Sequence, residues 1–352
     1  MAEYKSRSKI KKFLKGLLIV IVALVVLVVV GARLYFRLPV SDYYKASEKA
    51  FTIPGLSQNM IPQGLEYVEG RDVYLVGGYQ KDGTPSRVYK VNSRTGKTEG
   101  YVILGDSEGN GLSPHAGGLA VHDEYLFVAG DEDSSIYIYN LEDVLTAGKG
   151  ETVKMVDKFE TRYPGGSVNV ACLTFTEDKL IVAEFYRVPN YVTDKSHWIT
   201  TPAGDENHAF AVAFPLGDSD TSVCGVERTP TEIYSLPGLV QGIAVHDGKI
   251  WVSQSYGTAK STICCYDVSD SESVGFVGFV HSGVAEPDIL FPVYALDSST
   301  LVASFDAPPM AEEIVFVDDK LLIMCESASA KYIFGNFTGG RSCYATDVDK
   351  LI

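Results

Sequence analysis

The sequence predicts an all-β domain, a five-bladed β-propeller, behind a single N-terminal transmembrane helix. Three observations predict it: a strand pair that recurs five times, an alternating third strand after each pair, and an uncharged apolar run near the N-terminus.

The recurring pair reads small residue, Leu or Ile, any residue, Val or Phe, then a polar turn and a strongly apolar strand. It stands at Gly64-Leu65-Glu66-Tyr67-Val68 with 73–76, at Gly118-Leu119-Ala120-Val121 with 125–129, and at Cys172-Leu173-Thr174-Phe175 with 179–183. It returns at Gly242-Ile243-Ala244-Val245 with 249–253, and at Glu313-Ile314-Val315-Phe316 with 321–324. The Leu/Ile positions 65, 119, 173, 243 and 314 lie 54, 54, 70 and 71 residues apart. Units of this size cannot bury a face alone, so they stack on one another in a radial array. Each pair is followed by a strand alternating aromatic or apolar residues, at 86–91, 135–139, 208–214, 261–266 and 342–345. That period of two marks half-buried strands. A fourth strand follows across a tight turn, clearest after 92–97, where Gly96 supplies the positive φ that a hairpin needs.

The last unit stops after its third strand. Its missing strand is supplied from the other end, where Ala50-Phe51-Thr52-Ile53-Pro54-Gly55-Leu56 matches Ile233-Tyr234-Ser235-Leu236-Pro237-Gly238-Leu239 ahead of the fourth repeat. Such a strand closes the ring and removes an open sheet edge. Six blades is the competing count, because 275–304 holds more strand-like sequence than one closing strand needs.

Ahead of the repeats, Lys5, Arg7, Lys9, Lys11, Lys12 and Lys15 precede an uncharged stretch, 16–32. At about 1.5 Å per residue it spans about 25 Å, slightly short of a ~30 Å hydrocarbon core. Snorkelling by Lys15 and Arg33 and the interfacial rings of Tyr35 and Phe36 make up the difference. Six basic residues before the stretch against Arg33 and Arg37 after it put the N-terminus in the cytoplasm and the repeats outside. The division expected is a basic tail 1–15, a single-pass anchor in the cell membrane 16–32, a stalk 33–49 and a propeller 50–352. The competing reading of 16–32 is a cleaved signal peptide ending near Val30-Gly31-Ala32.

The chain carries a formal −15; residues 1–37 hold eight Lys or Arg and one acid, +7, leaving −15 − 7 = −22 for the rest. A domain this acidic repels phosphate backbones, which excludes nucleic acid as a partner. The lipid bilayer is the partner of the helix, and cations or a neutral small molecule, glycan or peptide suit the domain. Six cysteines at this spacing do not make a small disulfide scaffold. Cys325 and Cys343 pair if their strand registers match; otherwise they are small buried hydrophobes.

In a radial array the residues just before each inner strand, and those following each second strand, gather around one mouth of the central channel. The first set is Gln63, His115, Asn169, Gln241 and Glu312 with Glu313. The second is Tyr79, the triplet Asp131-Glu132-Asp133, Glu184 with Arg187, Gln254 with Tyr256, and Glu326. Two long loops on the same rim carry Tyr186, Tyr191, His197 and Trp198, and Tyr332, Phe334 and Phe337, either as a binding surface or as packing. Gln63, His115, Asn169, Arg187, Trp198, Gln241 and Tyr256 are therefore the candidate ligand-binding residues. Glu184, Glu312, Glu313 and Glu326 are the candidate metal ligands, Glu184 leading; crowded carboxylates either hold protons or recruit a cation, and an all-oxygen set suits Ca²⁺. No motif requires a cofactor and no catalytic residue is identifiable: there is no His-Glu-x-x-His, Cys-x-x-Cys, Gly-x-Ser-x-Gly or phosphate loop.

The strand pair 242–252 and the turn 91–97 resemble the broad superfamily of lactonase-like, NHL-like and quinoprotein-like propellers, with no specific family indicated. The resemblance covers nearly all of the part after the anchor and is architectural. In the calcium-dependent lactonase and esterase members a central cation is held by Glu and Asn or Asp from different blades. That implies such parts for Glu184, Asn169 and Glu312 or Glu313, while Gln63 and Gln241 depart from the pattern. The expected function is ligand or partner binding at the channel mouth, with a Ca²⁺-dependent hydrolase as the alternative.

Overall fold

A computed structural model describes residues 2–130, 134–279 and 289–352. Helix α1 (Ala2–Arg37) carries the apolar run and is long and apolar enough to cross a membrane, its apolar side chains exposed. After it, helix α2 (Ser41–Ala46) lies on the domain, with Val40 and Tyr43 buried beside Trp251, Phe305 and Leu321. The segment 33–49, expected as a stalk, is thus folded against the domain over its second half.

The rest is strand. β1 (Ser47–Thr52) is followed by a first antiparallel unit, β2 (Met60–Val68), β3 (Val73–Gln80), β4 (Arg87–Asn92) and β5 (Thr98–Gly105). The second unit is β6 (Leu119–His122), β7 (Tyr125–Ala129), β8 (Ser135–Asn140) and, after helix α3 (Leu141–Thr146), β9 (Thr152–Glu160). A small hairpin, β10 (Arg162–Tyr163) and β11 (Gly166–Ser167), leads into β12 (Cys172–Phe175) and β13 (Lys179–Ala183). The long loop after β13 holds a second hairpin, β14 (Ile199–Thr200) and β15 (Glu206–Asn207), before β16 (Ala209–Pro215) and β17 (Glu232–Leu236) complete the third unit. The fourth contains β18 (Val240–His246), β19 (Lys249–Gln254) and β20 (Ser261–Tyr266). Before its last strand, β23 (Leu301–Ala307), the chain inserts the hairpin β21 (Gly275–Phe279) and β22 (Ile289–Ala295). β24 (Ala311–Val317), β25 (Lys320–Cys325) and β26 (Ser342–Asp347) end the domain.

The inner strands pack in a closed cycle, β2 on β6, β6 on β12, β12 on β18, β18 on β24, and β24 back on β2. The domain is a β-propeller. Apolar side chains of neighbouring sheets interdigitate between them, as where Phe127, Phe159, Phe210 and Phe214 meet between the second and third units. β1 pairs antiparallel with β26, Phe51 opposite Cys343, so the N-terminal strand covers the edge that the last unit leaves open, as the sequence predicts. The inserted hairpin pairs through β22, in parallel, with the outer strand β17; it adds to the rim of the third unit and supplies no inner strand.

All six cysteines are free. In β25 and β26 the register sets Ile323 opposite Tyr344, which turns Cys325 and Cys343 to opposite faces of the sheet and into separate core clusters. That register prevents the disulfide considered from the sequence.

Candidate functional site

The inner strands come close together because four of their five leading positions, Gly64, Gly118, Cys172 and Gly242, are small. A Cβ on Gly242 would stand 2.5 Å from the Glu312 carbonyl oxygen, and one on Gly118 2.9 Å from the Leu173 backbone nitrogen. Cys172 holds the equivalent place in the third unit. In the fifth the residue is Glu313, whose carboxylate occupies the space beside Gly118. This close approach brings the preceding residues to the axis. Gln63, His115, Asn169, Gln241 and Glu312 line a single cavity of about 650 Å³, joined by Tyr79, Tyr191, Tyr256, Tyr332, Lys331 and Glu326.

A chain of hydrogen bonds runs across the cavity floor. Gln63 Nε2 donates to Glu326 Oε2 at 3.0 Å, and Gln63 Oε1 lies 2.6 Å from His115 Nε2, which must therefore be the donor. Tyr332 Oη donates to the other Glu326 oxygen. Lys331 Nζ donates to Tyr79 Oη at 2.6 Å, and the Tyr79 ring lies 4.7 Å from that of His115. Burial, then the Lys331 charge, press His115 down to about 4, so at neutral pH it is an uncharged imidazole with Nδ1 as acceptor. Burial raises Glu326, opposed by its bonds from Tyr332 and Gln63 and by Lys331. Glu312 is held well above the ordinary carboxyl range, first by burial and next by the Glu326 charge. The floor thus presents amides, a neutral imidazole, phenols and carboxyls reluctant to ionise, around one ammonium group.

Not every expected residue reaches this floor. Glu184, the expected leading cation ligand, is turned away from the cavity: Oε2 lies 2.8 Å from His197 Nδ1 and accepts the Phe210 N–H at 3.1 Å, and Oε1 accepts the Asn169 N–H at 3.3 Å. It anchors the long loop, with the His197 ring stacked on Phe210 at 4.5 Å. Glu313 is buried inside the channel, accepting the Ile243 N–H at 3.3 Å, rather than at the mouth. Trp198 packs edge-on against Tyr186 and His208 and donates to Thr193, holding the loop down without lining the cavity. Arg187 acts at one remove, its guanidinium 3.6 Å above the ring of Tyr256. Gln254 bonds the Gly238 carbonyl instead of facing the mouth. The triplet Asp131-Glu132-Asp133 lies outside the described residues. Among the described residues no three His, Cys, Asp or Glu side chains group as a metal shell.

Sequence reasoning passed over Lys331, the cation of the mouth, although it stands beside Tyr332 in the loop already singled out. It also passed over Glu66, on the inner strand of the first unit. Glu66 lines a second cavity of about 540 Å³ at the far end of the channel, with Tyr67, Val121, Phe175, Val245 and Phe316.

No protein-family model matches the chain. No curated protein sequence matches it either. Similar solved structures include glutaminyl cyclase of Myxococcus xanthus, 10% identical over 85% of this chain and 94% of that one, with a TM-score of 0.42. The PQQ-bound aldose sugar dehydrogenase of Streptomyces coelicolor is 14% identical over 85% of this chain and 95% of that one, TM-score 0.44. A putative 6-phosphogluconolactonase of Bacteroides fragilis is 11% identical over 75% and 77%, TM-score 0.36. Likeness at this level carries no argument about the chemistry of the mouth.

Proposed function

We propose that the protein is a membrane-anchored, extracytoplasmic five-bladed propeller whose channel mouth binds a small hydroxyl-rich ligand of glycan type. Five blades are supported by the inner-strand cycle of β2, β6, β12, β18 and β24, which closes without the inserted hairpin. The basic residues ahead of the apolar run support an N-terminus in the cytoplasm. The observation that carries the binding reading is the convergence of Gln63, His115, Asn169, Gln241 and Glu312 on one cavity walled by tyrosines. Amide groups and a neutral imidazole pair with hydroxyls in both directions, and tyrosine rings cover the apolar faces of a sugar.

Calorimetry of the full chain in detergent against a panel of neutral oligosaccharides tests this. One class should titrate, and Gln241→Leu should weaken it about tenfold, the loss of one or two hydrogen bonds. A panel without a binder, or unchanged affinity in the variant, overturns the reading. The alternative, a Ca²⁺-dependent lactonase or esterase, keeps support only from Glu312 and Glu326, which share the cavity while Glu184 does not. Ca²⁺ heats in the same calorimeter that vanish in Glu312→Gln would favour it.

A further inference from the structure

We infer that the rim of the channel mouth is a membrane-docking surface, seated in the interface of the bilayer that α1 spans. This rests on the reading of α1 as a retained anchor.

The chain reaches the domain at its mouth end. α1 contacts the 3₁₀ turn Gly335–Phe337, which belongs to the loop that sends Lys331 and Tyr332 into the mouth cavity. A Cβ on Gly339 would lie 3.4 Å from Arg37 Nε, and Tyr44 Oη donates to the Thr338 carbonyl at 3.1 Å. From there the chain descends the side of the domain through α2, reaches Ser47 opposite Thr346, and runs back up as β1 to Thr52 opposite Ser342. The helix therefore leaves on the same side as the mouth. Only Arg33 to Arg37 separate the uncharged run from this loop, about 8 Å of helix, which matches a headgroup layer of roughly 5–8 Å per leaflet.

The loops at that height end in apolar side chains. Ile333 is 88% exposed and Phe334 58% exposed, and Val188, Tyr191 and Val192 stand exposed on the neighbouring long loop. In water such side chains are a liability; at a bilayer surface, aliphatic and aromatic tips enter the acyl boundary. Two arginines belong to the same end of the domain: Arg37, whose guanidinium lies 5.1 Å from the centre of the Tyr44 ring, and the exposed Arg341, which donates to Asn336; cations there suit a layer of lipid phosphates. The mouth then opens toward the membrane surface, and a ligand enters it from the headgroup layer.

The test uses the full chain in vesicles whose acyl chains are brominated. Ile333→Trp and, as control, Phe276→Trp on the outer hairpin each add one tryptophan at an exposed position that the fold does not depend on. Against the parent protein, the emission added at 333 should be blue-shifted and largely lost to the bromines, and that added at 276 retained. Equal retention at both positions overturns the docking. Flotation after carbonate washing separates the two readings: a chain stripped from the vesicles ends the anchor and the docking together. A chain that floats with emission at 333 unquenched ends the docking alone.

Discussion

Replacing Glu66 with Gln should make the domain progressively more stable relative to the parent as the pH rises from about 4.5 to about 8. The carboxyl accepts the Tyr67 N–H at 2.7 Å and the Val121 N–H at 3.3 Å where the far cavity narrows into the channel. Although the side chain keeps partial access to that cavity, burial raises it from 4.5 to about 8, against the pull of those two N–H groups. The folded value lies above the unfolded one, so on raising the pH the unfolded chain gives up its proton first. Stability is therefore level below about pH 4.5, falls as the pH rises toward about 8, and levels off again. The full difference corresponds to at most about 5 kcal/mol. Glu66 is only partly buried, so solvent screens the charge and reduces the expected effect to about 2 kcal/mol. The amide cannot ionise; its single oxygen can keep the Tyr67 N–H, while its NH2 replaces the oxygen that accepts the Val121 N–H, a loss that does not vary with pH. Thermal unfolding of the full chain followed by circular dichroism should give a Tm difference, variant minus parent, that rises by roughly 4 °C between pH 4.5 and pH 8. A Tm difference that does not vary with pH, or one that falls as the pH rises, would refute the argument.

Gln63→Leu should cost about 1–3 kcal/mol in denaturant unfolding, because it strips the donor from Glu326 and the acceptor from His115 at a buried site. Phe51→Ala should cost about 3–5 kcal/mol and promote aggregation, since Phe51 is buried and stacks at 5.1 Å on Tyr74 where β1 closes the ring. Gly242→Ala should destabilise measurably, its Cβ meeting backbone of the next inner strand, whereas Gly275→Ala, with no atom within 4 Å, should be near neutral. Protease added to intact cells should digest the propeller and leave a membrane-bound stub; protection of the whole chain would reverse the proposed orientation.

The strand repeat, the closing role of the segment around Phe51 and the ring of Gln63, His115, Asn169, Gln241 and Glu312 were legible in the sequence. Each depends on position within a repeat, and a period-two strand in a closed array assigns face and depth to every position at once. Tertiary structure decided the rest. Glu184 and Glu326 hold equivalent places after their second strands, yet one is tied to His197 and backbone N–H groups and the other opens into the mouth. The courses of the two long loops separate them, and those courses follow from contacts such as His197 on Phe210 and Tyr44 on Thr338. The placement of Lys331, the seat of the inserted hairpin and the approach of α1 to the rim arise in the same way. Such contacts join residues far apart in the chain, where no local period reaches, so only the folded domain determines which loop side chains face the mouth cavity and which face the core.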